Sequence, residues 1–232
     1  MGLQDVRALT FDCYGTLIDW ESGICRALRP ILDRHGITVS NAEVLEWYGR
    51  FEAEAQSGAY QPYRMVLAHV MQRFAGHFGL ELATAEMQML TDTLPHWLPF
   101  PDTVSALLRL RPHFSLGILS NIDDDLFAAT ARHLPVRFDV VVTAEQVHQY
   151  KPARAHFDVG LQRLGLSAGQ VLHVAQSLYH DVPVARSLGM VTAWVRRPGS
   201  VIGATGSAPA DLEVPDLLAL ADRLEEAGLC NR

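Results

Sequence analysis

Asp12 closes the apolar run ALTFD (8–12) and is followed by Tyr14, by the glycine turn at Gly15 and by Thr16. A carboxylate at the end of a buried strand is costly unless it has a partner or a task. Later apolar runs close on polar groups in the same way: Ser120-Asn121 after SLGIL, Lys151 shortly after FDVVVT (138–143), and Ser177 to Asp181 after VLHVAQ. In open parallel sheets, ligands gather beyond the carboxyl ends of the strands, so these groups are expected to share one crevice. An ionised carboxylate needs no base to attack an electrophile, but it must be held rigidly and partly stripped of water. Taken singly the residues are bland, since a strand-end Ser or Asn often caps a helix and a lone Lys is usually solvated. Their recurrence at consecutive strand ends marks the site.

The elements that must position them are five runs rich in apolar residues, 8–12, 115–121, 138–143, 171–177 and 191–195. Continuous hydrophobicity suggests strands covered on both faces, and helical patterns such as 123–134 and 156–165 alternate with the later runs. That alternation predicts a doubly wound, Rossmann-like α/β core. Residues 18–95 instead show four helical patterns without a strand: 22–35, about 41–57, one with Pro62 in its first turn running to Gly79, and one ending before Pro95. The expected organisation is therefore a core of 1–17 and 96–232 with a helical cap, 18–95, inserted after the first strand. PGSVIGATGSAP (198–209) reads as a loop before a last short strand and helix.

Of the 232 residues, 49% are hydrophobic and 19% charged, enough for a sizeable core. The net charge of −7 offers no basic surface, so nucleic acid is not an expected partner. Cys13, Cys25 and Cys230 show neither disulfide nor zinc spacing, which fits a reducing cytoplasm. The N-terminus has no signal-peptide pattern and no run is long enough to span a bilayer, so a membrane partner is not expected. Asp123–Asp125 is expected to serve a helix N-terminus rather than a metal. His173 and His180 lack ligand spacing and are expected to pack or to support the site. Cys13 has no partnered base, and the GATG of 203–206 is a weak phosphate-loop signal.

The motifs FDCYGTL (11–17), ILSN (118–121), YKP (150–152) and HVAQSLYHDVPVARSLGM (173–190) resemble, in order and spacing, those of the haloacid dehalogenase-like hydrolases, most closely the L-2-haloacid dehalogenase (type II) branch. The resemblance spans nearly the whole chain. It implies that Asp12 is the nucleophile, that Lys151 keeps it ionised while Thr16, Ser120 and Asn121 orient it, and that Asp181 with Lys151 positions a hydrolytic water. It also suggests a homodimer.

Tyr14 bears on the substrate. Phosphatases resembling this chain carry a second acid there to protonate an alkoxide, whereas a phenol of pKa ~10 is a poor acid and a departing halide needs no proton. Ala175-Gln176 stands where a Gly-Asp pair would support Mg²⁺, a cation that prefers carboxylate oxygens. The expected reaction is therefore metal-free and cofactor-free conversion of a short 2-haloalkanoic acid to the 2-hydroxy acid through an ester on Asp12. The alternatives are a Mg²⁺-dependent phosphatase for a small metabolite and a catalytically weak member that binds a carboxylate. The dehalogenases resembled use a cap arginine for the substrate carboxylate and the halide. Arg64, among Tyr60, Tyr63 and Met65, and Arg50, in a more acidic helix, are the candidates. Tyr14 and Ser177 complete the expected substrate contacts. Those enzymes tend to carry a Tyr after the motif lysine, where this chain has His156-Phe157, and an Asn at the position aligned with Ser177.

Overall fold

A computed structural model describes residues 3–203 and 209–230; residues 204–208 of the expected 198–209 loop, which include part of the GATG segment, lie outside the described residues. Six strands form one all-parallel sheet: β1 (Ala8–Phe11), β2 (Ser115–Ser120), β3 (Val140–Thr143), β4 (Val171–Ala175), β5 (Val191–Val195) and β6 (Leu212–Val214). Their spatial order is β3-β2-β1-β4-β5-β6. The chain thus leaves β1 toward β2 on one side and later returns to β4 on the other. This change of direction opens a crevice at the carboxyl end of β1, where Asp12 stands.

Each strand is apolar throughout because helices cover both faces of the sheet. Successive side chains go to opposite layers. Leu9, Ile118 and Leu172 join one buried cluster, while Ala8, Leu119 and Val171 join the other. The first cluster is shared with α6 (Thr103–Leu110), α7 (Asp124–Thr130) and α11 (Leu217–Glu226); the second with α9 (Ala155–Leu164) and α10 (Val182–Ser187). A single helical turn, α8 (Ala144–Val147), follows β3 and leads to Lys151.

Between β1 and β2 lie α1 (Trp20–Arg34), α2 (Asn41–Gln56), α3 (Tyr63–Phe78), α4 (Thr84–Met87) and α5 (Met89–Thr93). Asp19 caps α1 by accepting from the Ser22 N–H, and Ser40 caps α2 by accepting from Glu43 N–H. The fourth expected helix is split at Gln88 into α4 and α5, and a 3₁₀ turn follows at Leu94–His96. Pro62 is the residue before α3 rather than in its first turn and has no side chain to cap with. The Asp123 carboxylate, from the loop after β2, takes that role: it accepts from the Tyr63 N–H at 2.6 Å and the Arg64 N–H at 3.1 Å. The acidic run does serve helix N-termini: it opens α7, with Asp124 and Asp125 in the first turn, and Asp123 also caps α3 of the insertion.

No described helix is long and apolar enough to cross a membrane. All three cysteines are free and buried.

Candidate active site

β1 ends one residue before Asp12, whose own N–H still donates to the Val174 carbonyl of β4 at 3.1 Å, so the backbone is fixed where the side chain leaves the sheet. The chain then reverses. Gly15 has φ +93°, and a Cβ there would stand 3.0 Å from Trp20 Nε1, so the turn needs glycine on both counts. The reversal brings Thr16 back to donate from Oγ1 to Asp12 Oδ2 at 2.8 Å, while Thr16 Oγ1 itself accepts from the Gln176 N–H at 2.9 Å.

Lys151 approaches the other carboxylate oxygen. Its ammonium donates to Asp12 Oδ1 at 2.9 Å, Asp181 Oδ1 at 2.7 Å and the Leu119 carbonyl at 2.8 Å. All three N–H bonds are spent. Burial lowers a lysine's proton affinity, yet the two carboxylates outweigh it and hold Lys151 above its usual range. Burial likewise opposes charge on Asp181, but Lys151 and His173 pull its carboxyl well below the usual range. His173 Nε2 lies 3.0 Å from Asp181 Oδ1 and its Nδ1 lies 2.9 Å from Thr10 Oγ1, which anchors the second acid to β1.

Asn121 has a different position from the one expected, since its carboxamide clamps the lysine and not the acid. Oδ1 accepts from the Lys151 N–H at 2.7 Å and Nδ2 donates to the Lys151 carbonyl at 3.2 Å. Ser120 Oγ and Asp181 Oδ2 are buried without a partner among the described residues, and both residues line the pocket. Ser177 also lines it, with Oγ accepting from the His180 N–H at 2.9 Å and shaping the turn between β4 and α10. Tyr14 contributes its ring, but its hydroxyl is bonded to Thr130 Oγ1 at 2.8 Å, and burial pushes its acidity further from any use in proton transfer.

The pocket above Asp12 is small, with a cavity volume of about 60 Å³. From the insertion it receives Trp20, Glu52, Gln56 and Tyr63, and from the loop after β5 it receives Ile202 and Gly203. Neither expected arginine lines it. Arg64 Nε donates to Asp123 Oδ2 at 3.1 Å and Nη2 to Asp125 Oδ1 at 2.5 Å, so its guanidinium is a clasp between α3 and the loop after β2. Arg50 lies over the Trp47 ring at 5.1 Å and lines a separate cleft with Arg73 and His77. Neither arginine is placed as expected: the face of α2 that meets the pocket carries Tyr48, Glu52 and Gln56, spaced i, i+4, i+8, with Arg50 on another face, and Arg64 of α3 is held by Asp123 and Asp125. That spacing was a readable signal, because Glu52 is a charged residue on the buried stripe of its helix.

The donor set does not fit a hard divalent cation. The Lys151 ammonium already sits between the two carboxylates that would share the ion. Gln176 turns away to donate from Nε2 to Ser200 Oγ at 2.9 Å and the Ile202 carbonyl at 2.7 Å. Among the described residues no group of three or more His, Cys, Asp or Glu is arranged to hold a metal.

A doubly wound parallel sheet with a clamped carboxylate at its switch point and a lysine across from it defines an α/β enzyme with a carboxylate-centred site. The profile of the haloacid dehalogenase-like hydrolases matches residues 6–189, and the chain belongs to that family. It is 28% identical over 227 residues to an (S)-2-haloacid dehalogenase of Pseudomonas sp. (strain YL), covering 96% of each chain. It is 24% identical to haloacetate dehalogenase H-2 of Moraxella sp. (strain B), covering 92% of this chain and 95% of that one. The crystal structure of the L-2-haloacid dehalogenase PA0810 superposes with a TM-score of 0.81 at 27% identity, over 95% of this chain and 99% of the other.

Proposed function

We propose that this chain hydrolyses the carbon–halogen bond of a short 2-haloalkanoic acid, with Asp12 as the nucleophile. The observation that carries this reading is the Lys151 ammonium seated between Asp12 and Asp181 with every donor engaged, an arrangement that keeps a strand-end carboxylate poised. The near-full-length similarity to enzymes named as 2-haloacid and haloacetate dehalogenases supports the substrate class.

In the first step an Asp12 oxygen forms a bond to C2 as the carbon–halogen bond breaks and the halide leaves with its electron pair. In the second, water attacks the Asp12 ester carbonyl, the carbonyl carbon–oxygen bond to the substrate breaks, and the 2-hydroxy acid departs with one proton released to solvent. The Asp12 oxygen that does not bond to C2 becomes the oxyanion of that step and is stabilised by the donor already on it, Lys151 on Oδ1 or Thr16 on Oδ2. Asp181 Oδ2, without a partner among the described residues, is the acceptor for the attacking water. Ser120 Oγ is a neutral donor for the substrate carboxylate, and Asn121 keeps Lys151 in place.

The helical insertion, 18–95, acts as the cap that closes this site, a role supported by the four residues it sends into the pocket. A Tyr14 hydroxyl engaged by Thr130 and a Gln176 amide engaged by the 200–202 loop weigh against the phosphatase alternative. The buried free thiols suit the cytoplasm. Halide release from L-2-chloropropionate and chloroacetate, beside phosphate release from p-nitrophenyl phosphate, each with Mg²⁺ and with EDTA, tests the reading. Halide release that survives EDTA is expected, whereas Mg²⁺-dependent phosphate release without halide release would replace this function by the phosphatase.

A further inference from the structure

The pocket has no free positive charge for an anionic substrate. Lys151 is its one lining Lys or Arg among the described residues, and its three donors are committed to Asp12, Asp181 and Leu119. Residues 204–208, Ala-Thr-Gly-Ser-Ala, supply no cation either. With Asp12 and Asp181 ionised, the lining carries one net negative charge before Glu52 is counted. His180 does not offset it, because burial holds its imidazole below the usual range. Glu52 faces this set from α2, nearly buried, with the Tyr63 hydroxyl donating to its Oε1 and the Tyr48 hydroxyl 3.0 Å from that of Tyr63. No salt bridge reaches it among the described residues. An ionised Glu52 would make the pocket repel a carboxylate twice over, whereas the neutral acid turns the same position into an O–H donor.

We propose that Glu52 enters the catalytic cycle as the neutral acid and is the cap's hydrogen-bond donor to the substrate carboxylate, in the role expected of an arginine. The inference rests on the dehalogenase reading for the identity of the substrate, and on the pocket alone for the need of a neutral donor.

The proton is available in the neutral range. Burial pushes the Glu52 carboxyl up to about 7, against the opposing hydrogen bonds from Tyr63 and Tyr48. The groups facing it are Tyr48 on its own helix, Tyr63 on α3 and Tyr150 in the loop that carries Lys151, all with hydroxyls pushed up by burial and so neutral. Across the pocket stand Tyr14, also neutral, and Asp12, Lys151, His180 and Asp181. A bound carboxylate adds negative charge beside Glu52 and draws the proton on more tightly. Substrate binding should therefore take up a proton whenever free Glu52 is ionised.

Wild type, Glu52→Gln and Glu52→Ala, each checked for folding by circular dichroism, separate the possibilities. For an anionic haloacid, wild-type kcat/KM should fall about tenfold per pH unit above Glu52's titration. Glu52→Gln, whose amide N–H donates at every pH, should lose that fall and keep at least ~10-fold more of the pH 6 activity than Glu52→Ala. An unchanged alkaline fall in Glu52→Gln, or equal losses in the two variants, would overturn the proposal. Calorimetry at pH 7.5 with L-lactate, an unreactive carboxylate, in two buffers of different ionisation enthalpy reads the proton directly. Uptake by wild type and none by Glu52→Gln is expected; binding without uptake in wild type, or no lactate binding at pH 6, would contradict it. Proton uptake without halide release from any haloacid would leave the donor role standing and sink the dehalogenase reading. Halide release with a flat pH profile would do the reverse.

Discussion

Lys151 joins stability to chemistry, because one ammonium neutralises two buried carboxylates. Lys151→Met removes the charge but leaves Asp12 and Asp181 uncompensated, a defect of the kind that costs ~3–5 kcal/mol. The expected result is a loss of at least ~10³-fold in kcat/KM and a lower midpoint in urea unfolding; near-native activity would remove Lys151 from the site. The two perturbed acids also set a pH window. Asp181, held below its unfolded value, adds stability that is present above about pH 4 and is lost as the pH falls below it. Glu52, raised from 4.5 to about 7, has the opposite sign: the folded state binds the extra proton, so stability declines as pH rises from about 4.5 through 7. Glu52→Gln should consequently gain stability relative to wild type at pH 8 and not at pH 4.5, by at most ~3 kcal/mol, read from urea melts at the two pH values. An equal shift at both pH values would show that Glu52 is not buried as the neutral acid.

At the scale of elements, the clasp between Asp123 and the start of α3 fastens the insertion to the loop that begins at Asn121, directly after Ser120 at the end of β2. Arg64→Ala trims only the partly exposed guanidinium and leaves the backbone cap, so kcat/KM should stay within about threefold of wild type with a stability cost of about 1 kcal/mol. A ~100-fold loss would mean that Arg64 reaches the substrate after all. Strands and their polar ends were legible in the sequence, because a covered parallel sheet forces continuous apolar runs and its topology forces their ends together. Asp12, Thr16, Lys151 and Asp181 meet for that reason. The contacts of the insertion were not legible in the same way. Which face of α2 or α3 turns inward depends on packing against distant segments, such as Asp123 beneath Arg64, 59 residues away. The resemblance pointed to an arginine as the carboxylate's partner, while the i, i+4 stripe of Tyr48 and Glu52 marks the face of α2 that turns inward. Gln176 was readable as a missing acid, but its bonds to the 200–202 loop depend on a turn after β5.

Over the whole molecule, a net charge of −7 and a pocket of negative sign both oppose the approach of an anionic haloacid. Raising ionic strength from 10 to 200 mM with sodium sulfate should therefore increase kcat/KM by roughly two- to threefold, by screening that repulsion. A decrease would point to a positive funnel that the charge distribution does not contain. The central claim is that Asp12 becomes esterified, rather than activating water for direct attack at C2. A single turnover of L-2-chloropropionate in H₂¹⁸O with enzyme in excess decides it. With a nucleophilic Asp12, the first lactate carries an unlabelled oxygen from the enzyme, and mass spectrometry of the peptide containing FDCYGTL finds ¹⁸O in the Asp12 side chain. Label in the first lactate and none in Asp12 would contradict covalent catalysis.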